Sequence, residues 1–179
     1  MKNKRLTVVI DMLNGFCKFG PLSSQRINRI IPNIVEVLNK SDDILFVCDA
    51  HSIDDLEMKQ YPIHCLKDSL EAEVVDELKP YQRQKNAKTV LKNTTNGFYE
   101  VLPSYWDQYD EFEFVGCCTD ICVLQFVMNL KIWFNKIGSK KPIYVIQKCV
   151  ETFDSPTHNG DEMHKLALQL MQEAGVEIV

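Results

Sequence analysis

Short apolar runs rich in β-branched residues alternate along this chain with segments of helical periodicity. The strand-like runs are residues 6–10, 44–47, 89–91, 112–115, 143–146 and 176–179. Apolar residues recur every three or four positions over 27–38 and 123–134, and less regularly over 166–171. Strands that alternate with helices usually join through right-handed crossovers into a parallel sheet. The sequence therefore predicts an α/β fold with three layers (α/β/α) and a mostly parallel sheet.

Pro32 lies inside the first helical segment. Because proline lacks a backbone N–H, the helix is expected either to kink at Pro32 or to begin near it. The chain has 179 residues, a length that suits one domain with a single sizeable core. No repeat, linker or low-complexity tract divides it. We therefore predict a single domain over residues 1–179.

The composition excludes two classes of partner. The 25 acidic and 20 basic residues give a formal net charge of -5, and no basic block is present to neutralise a phosphate backbone, so nucleic acid is not expected. No run of about 18 apolar residues could cross a bilayer, and the N-terminal stretch lacks a signal-peptide pattern. Membrane contact is not expected either.

The cysteine content indicates a reducing compartment. The seven cysteines form an odd set without the spacing of a small disulfide scaffold, so they are expected to stay as thiols in a cytoplasmic protein. A disulfide framework is the less favoured alternative. The sequence leaves open whether the chain forms a homo-oligomer.

Polar or reactive side chains follow four of the predicted strands. Asp11 ends the first, Asp49 the second and Lys92 the third, and Cys122 follows the fourth. Ligands of an open parallel sheet bind beyond the carboxyl ends of its strands, so these side chains are expected along one edge. Any one of them alone would be typical of a turn. Together, a carboxylate, an ammonium and a thiol provide the base, the electrostatic partner and the nucleophile of acyl transfer.

Cys122 is expected in the first turn of a helix, with Thr119 or Asp120 as its cap. A helix N-terminus lowers the pKa of a thiol and exposes backbone N–H groups. The alternative is that Cys122 is a small buried hydrophobe, which is the commonest state of a free cysteine. The neighbouring charges favour the nucleophile.

Three segments resemble the isochorismatase-like cysteine hydrolases, and among these the nicotinamidases, also called pyrazinamidases. Residues 9–16 (VIDMLNGF) resemble the opening strand of the family, and residues 90–92 (VLK) resemble the strand that bears its lysine. Residues 115–123 (VGCCTDICV) resemble the nucleophile segment, which is the most specific motif. The resemblance runs from about residue 8 to residue 123 and implies hydrolysis of a small-molecule amide.

The resemblance also implies a role for each matching residue. Asp11 would be the general base, Lys92 the catalytic lysine and Cys122 the nucleophile. Backbone N–H groups of Cys118 and Cys122 would form the oxyanion hole, next to a non-proline cis peptide bond between Cys117 and Cys118. Substrate-binding walls would come from Phe16, Leu22 and Tyr61.

Three positions depart from the family pattern. Leu13 replaces a frequent glutamine, Gly15 a frequent acidic residue and Cys118 the usual alanine. These positions concern the lining of the pocket more than the Asp–Lys–Cys triad. They bear on the detail of the substrate rather than on the reaction class.

A second group of residues resembles the nicotinamidase metal site. The resemblance implies Asp49, His51 and His64 as ligands of a divalent metal ion, and Glu57 lies where some members supply a fourth ligand. Carboxylate and imidazole ligands suit Zn, Mn or Fe. Extended backbone places residues i and i+2 on the same face, which favours Asp49 with His51.

A structural zinc site is the competing arrangement. It would use Cys48, His51, His64 and Cys65, but the adjacent His64 and Cys65 are expected to point apart. Two further histidines, His158 and His164, lie in a polar stretch and on a predicted helix. We expect them to be solvated and assign them no chemistry.

The implied reaction is hydrolysis of a small aromatic amide, with nicotinamide giving nicotinate and ammonia through a thioester on Cys122. One alternative is a metal-free hydrolase of the same family that acts on a ureido, carbamoyl or isochorismate-like substrate. The other is a non-catalytic thiol or metal-binding module, in which Cys117, Cys118 and Cys122 form a thiol cluster.

Overall fold

The computed structural model describes residues 3–179, and its strands form one parallel sheet. The strands are β1 (Arg5–Ile10), β2 (Asp43–Asp49), β3 (Ala87–Lys92), β4 (Glu111–Cys117), β5 (Ile143–Glu151) and β6 (Glu177–Ile178). Their order in the sheet is β3-β2-β1-β4-β5-β6, and every neighbouring pair is parallel. The predicted α/β fold is confirmed.

Helices occupy most of the connections between strands. They are α1 (Asn14–Cys17), α2 (Gln25–Asn28), α3 (Ile31–Leu38), α4 (Lys79–Gln82), α5 (Pro103–Trp106), α6 (Leu124–Ile137) and α7 (Gly160–Glu173). A π-helical turn over Thr119–Val123 leads directly into α6. Among residues 3–179, no helix has the length and apolar character needed to cross a bilayer.

The helical segment around Pro32 consists of two separate helices. α2 ends at Asn28, and α3 begins at Ile31 with Pro32 in its first turn. The N–H groups of a first turn have no intrahelical acceptor, so a proline there removes no hydrogen bond. Of the two alternatives drawn from the sequence, a helix start near Pro32 is correct.

The two faces of the sheet bury two different apolar clusters, as the pleat of a strand requires. On β1, Val8 and Ile10 join Phe126 and other side chains of α6 in one cluster. Val9, between them, joins the other cluster with apolar residues of α2 and α3 such as Ile34. The sheet is therefore the middle layer of three.

The strand order reverses between β1 and β4. From β1 the chain moves outward to β2 and β3, and it then returns to β4 on the opposite side of β1. Ligands of open α/β sheets bind in the crevice beyond the strands at such a switch point. Asp11 directly follows β1, and Cys118 directly follows β4. The fold thus brings the predicted catalytic segments to this crevice.

Candidate active site

Lys92 lies at the centre of a buried charge cluster. Its Nζ is 2.8 Å from Asp11 Oδ2 and also forms an ion pair with Asp49. The sheet register places Asp49 directly opposite Lys92 on neighbouring strands. The Lys92 ammonium also donates to the carbonyl oxygen of Thr94 at 3.1 Å. One ammonium therefore pairs with two carboxylates, Asp11 after β1 and Asp49 at the end of β2.

The backbone after β1 holds Asp11 in an unusual conformation. Its φ is 51°, in the left-handed region that few non-glycine residues adopt. The Asp11 N–H donates to Val47 O at 2.9 Å, and the Asp49 N–H donates to Asp11 Oδ1 at 3.0 Å. These bonds fix the carboxylate beside Lys92.

Cys122 lies within reach of this cluster. Lys92 Nζ is 4.0 Å from Cys122 Sγ, and the charge of Asp11 acts on the pKa of the thiol. Cys117 is different, because its Sγ is completely buried and faces the carbonyl oxygen of Asp11 at 3.2 Å. The peptide bond between Cys117 and Cys118 is cis, as the resemblance implied. All seven cysteines are free.

The thiol of Cys122 is protonated at rest. Burial raises its pKa well above the usual range, Asp11 and Asp49 add to the rise, and Lys92 opposes it. The expectation that a helix N-terminus lowers this pKa is therefore wrong, because burial and two nearby carboxylates dominate. Attack by Cys122 requires a base that removes the proton.

Asp11 is suited to be that base. Burial raises the pKa of Asp11 to about 6, Asp49 adds to the rise, and Lys92 opposes it. Burial alone would lower the pKa of Lys92, but Asp11 and Asp49 hold it well above the usual range. The cluster therefore pairs a charged ammonium with a carboxylate that can gain and return a proton.

The helix of Cys122 begins without the predicted cap. The turn starts after Cys118, and no side chain caps its N-terminus. Thr119 Oγ1 is instead 2.9 Å from His164 Nδ1, and Asp120 Oδ2 is 2.7 Å from His158 Nε2. Both candidate caps are thus engaged by residues distant in sequence.

The same contacts correct the expectation for the two histidines. The side chains of His158 and His164 are only 16% and 18% exposed. Each contacts a residue within the turn that carries Cys122. They are structural partners of that turn rather than solvated side chains.

Asp49, His51 and His64 form a buried group of possible metal ligands. One ligand atom from each lies within 4.8 Å of the others. His51 Nε2 is 3.5 Å from Asp49 Oδ1, and His64 Nε2 is 3.7 Å from Asp49 Oδ2. The Lys92 ammonium and the two imidazoles hold the pKa of Asp49 below its usual range, although burial alone would raise it.

The outer nitrogens of both imidazoles have partners that orient the rings. His64 Nδ1 donates to Pro62 O at 2.7 Å, so its Nε2 faces Asp49. His51 Nδ1 lies 3.2 Å from Asp55 Oδ2. Outer partners of this kind are typical of metal-bound histidines. The donor set fits a divalent cation.

The structure gives less support to Glu57 as a fourth ligand and to the structural zinc site than to the Asp49–His51–His64 group. Glu57 is outside the group in the described part of the chain, and its Oε1 instead accepts from the Thr95 N–H at 2.9 Å. The structural zinc alternative would need Cys48 and Cys65, which are also outside the group. Cys65 Sγ faces Glu71 O at 3.7 Å.

A cavity of about 450 Å³ opens above these groups. Cys122 and Cys118 line it, together with Asp49, His64 and Glu57. The three predicted walls, Phe16, Leu22 and Tyr61, also line it. Thr95, Ile121 and Phe153 line it as well, although they were not predicted from the sequence. Ile121 lies within the nucleophile segment and could have been found there, whereas Phe153 lies in a loop without a recognisable motif.

The chain matches the isochorismatase domain family over residues 5–179. It belongs to the isochorismatase family. The predicted family is thus confirmed, and members of this family are hydrolases. The chain is 25% identical to Nicotinamidase 1 of Arabidopsis thaliana over an alignment that covers 96% of this chain and 84% of that protein.

Solved structures of this family share the fold. The pyrazinamidase/nicotinamidase of Streptococcus mutans has a TM-score of 0.82 at 22% identity, over 98% of this chain and 100% of that one. The pyrazinamidase of Pyrococcus horikoshii in complex with zinc has a TM-score of 0.78 at 22% identity, over 98% of each chain. At these identities the comparisons establish the architecture of the isochorismatase-family chain.

Proposed function

We propose that this isochorismatase-family protein is a nicotinamidase, which hydrolyses nicotinamide to nicotinate and ammonia. One observation carries the proposal. Cys122 of the Asp11–Lys92–Cys122 cluster lines the same cavity as Asp49 and His64 of the Asp49–His51–His64 group, and apolar residues also line it. Such a cavity combines a nucleophile, a positioning site and walls for a flat ring. The named relatives support the choice of substrate.

The reaction would proceed through a thioester. Asp11 takes the proton of Cys122, and the thiolate forms a C–S bond with the amide carbon. Lys92 balances the negative charge of the cluster. Asp11 then gives its proton to the departing nitrogen as the C–N bond breaks. Water finally adds its hydroxyl to the thioester carbon and restores the thiol, which releases nicotinate.

The oxyanion of the tetrahedral intermediate needs hydrogen-bond donors. We assign this role to the backbone N–H groups of Cys118 and Cys122, because both residues line the cavity. In other enzymes, the loss of one such donor slows turnover by about 100- to 1000-fold.

Asp49, His51 and His64 would hold a divalent metal ion, and Zn, Mn and Fe all suit this donor set. When bound, the ion would supply a bond to the pyridine nitrogen of the substrate. These three residues therefore have a positioning role. Phe16, Leu22 and Tyr61 would contact the ring.

A panel of amides scored by ammonia release tests the proposal. Nicotinamide and pyrazinamide should be hydrolysed, whereas benzamide, which lacks a ring nitrogen, should be a poor substrate. Removal of the metal with a chelator, or His51→Ala, should raise the KM for nicotinamide and narrow its advantage over benzamide. The thiol should still react with alkylating agents, which shows that the site is intact.

Two results would contradict the proposal. One is that a ureido or carbamoyl substrate releases ammonia while nicotinamide does not. The other is that metal removal leaves the kinetics of nicotinamide unchanged. Either result would favour the metal-free hydrolase of the same family.

A further inference from the structure

The loop between β5 and α7 contributes a wall of the active-site cavity. Phe153 lines the cavity together with Cys118 and Cys122. The ring of His158 stacks on the Phe153 ring, with centroids 4.0 Å apart and planes 14° from parallel. His158 Nδ1 also donates to the carbonyl oxygen of Phe153 at 3.1 Å. One histidine thus holds both the ring and the backbone of the wall residue.

The other nitrogen of His158 links this wall to the nucleophile. His158 Nε2 is 2.7 Å from Oδ2 of Asp120, whose side chain is only 4% exposed. Asp120 lies in the same turn as Cys122. His158 therefore connects the wall residue Phe153 to the turn that carries the thiol.

The backbone of the loop restricts the position of His158 further. The Ser155 N–H donates to His158 O at 2.9 Å, and the His158 N–H donates to Ser155 O at 3.1 Å. Asp154 Oδ1 accepts from the Gly160 N–H at 2.8 Å, at the start of α7. A turn closed by these hydrogen bonds therefore holds the imidazole of His158 against the ring of Phe153.

We propose that Phe153 is a specificity-determining wall for the ring of the substrate, and that His158 is a positioning residue that holds Phe153 in register with Cys122. The proposal rests on the proposed amide hydrolysis and deepens it. A ring packed against Phe153 gains contact area that a small aliphatic amide lacks. The wall therefore favours aromatic over aliphatic amides at the step in which the thiol attacks.

The test compares alkylation of Cys122 by two reagents with the same leaving group. Iodoacetamide and its N-phenyl analogue, iodoacetanilide, both react as the thiolate displaces iodide, but only the second carries a ring. The ratio of their alkylation rates is measured by mass spectrometry of the Cys122 peptide. It reports how much the contact with Phe153 favours a ring, and it does not require turnover. kcat and KM for nicotinamide are measured in parallel.

Four variants separate the contributions of the two residues. Phe153→Ala should lower the rate ratio and raise the KM for nicotinamide, each by about tenfold, which is the scale of a lost apolar contact in a pocket. His158→Ala should give the same phenotype, and His158→Phe, which keeps a ring for the stack but loses the hydrogen bonds to Phe153 O and Asp120, should restore the ratio only in part. Thr157→Ala is the matched control, because Thr157 is exposed in the same turn, and it should behave as wild type.

Each part of the inference can fail separately. Phe153→Ala leaves the contact between His158 and Asp120 in place. If its ratio of alkylation rates equals that of the wild type, Phe153 is not a specificity-determining wall. A reduced ratio in Phe153→Ala with a wild-type ratio in His158→Ala would overturn the positioning role. A further outcome is that the wild type releases no ammonia from nicotinamide while Phe153→Ala and His158→Ala still lower the ratio of alkylation rates. That result would contradict the proposed function and would still support the role of Phe153 as a wall.

Discussion

At the scale of single residues, the protonation of Cys122 depends on its surroundings rather than on its own helix. Two carboxylates and burial raise its pKa, and one ammonium at 4.0 Å only partly opposes them. Asp11, which is paired with Lys92 and has a pKa raised to about 6, is the group suited to accept the proton of the thiol. A nucleophilic Cys122 would therefore need activation during the reaction, because its surroundings disfavour a stable thiolate.

Cys122→Ala should abolish hydrolysis of nicotinamide and leave the fold intact. Cys117→Ala should retain most activity, because Cys117 Sγ faces a backbone carbonyl away from the cavity. Each substitution should lower the free energy of unfolding by about 1 kcal/mol, as is common for point variants. Ammonia release and thermal melting are the measurements. Equal loss of activity in the two variants would show that the nucleophile is assigned wrongly.

Asp11→Asn and Lys92→Ala should each slow turnover by about 100- to 10,000-fold, the range typical of a lost general base. Because both act on one proton transfer, the double variant should lose little more than the slower single variant. A double-mutant cycle on kcat measures this coupling. If the two losses multiply, the residues act independently and the single coupled cluster is refuted.

The stability of the same variants is a separate prediction. Lys92→Ala leaves two buried carboxylates without their shared cation, and loss of one partner of a buried ion pair costs about 3–5 kcal/mol. Asp11→Asn leaves Lys92 paired with Asp49 and should cost less. Urea unfolding compares the two. A larger loss for Asp11→Asn would contradict the central position of Lys92.

The residues of the site differ in how far the sequence could locate them. Asp11, Asp49 and Lys92 were predictable because each ends a strand, and parallel strands bring their carboxyl ends to one edge. The protonation state of Cys122 was not predictable from the sequence, since it depends on distances between side chains that follow different strands. Phe153 was missed and His158 was expected to be solvated, because both lie in a loop whose contacts are set by tertiary packing.

At the scale of elements, the approach of β4 to β1 depends on Gly116. Its φ is +118°, and a Cβ at this position would lie 2.0 Å from the carbonyl oxygen of Ile10. The register pairs Gly116 with Ile10, immediately before Asp11. The absence of a side chain therefore sets the spacing of the two strands that lead to Asp11 and to the segment of Cys122.

Gly116→Ala should lower the free energy of unfolding by about 3–5 kcal/mol, because overpacking against backbone adds to the cost of a positive φ. Gly138→Ala is the matched control: its φ is +69°, but nothing lies within 4 Å of the added Cβ. It should cost about 1–2 kcal/mol. Urea unfolding measures both, and equal losses would exclude steric contact as the cause.

The sequence predicts the ends of helices where the conformational restriction of a single residue determines them. Pro32 indicated either a kink or a helix start because the restriction on proline is local, and the structure has the helix start. The cap of the helix that carries Cys122 was predicted wrongly, because histidines from the loop before α7 and from α7 itself engage Thr119 and Asp120. Such contacts between distant segments have no signature in the sequence near the helix.

At the scale of the whole molecule, the strand order explains why the chemistry occurs at one place. The sheet reverses between β1 and β4, and the cavity lies beyond their carboxyl ends. β2 and β3 add Asp49 and Lys92 from the same side. The alternation of strands and helices in the sequence was sufficient to predict this architecture, since parallel connections leave few topologies.

The central claim is that Cys122 forms a thioester with the acyl group of nicotinamide. Acid quenching of the enzyme during turnover, followed by mass spectrometry of the Cys122 peptide, tests it most directly. We expect an added mass of one nicotinoyl group on this peptide, which disappears when the substrate is exhausted and is absent in Cys122→Ala. A nicotinoyl group on another residue, or release of ammonia by Cys122→Ala at the wild-type rate, would contradict it.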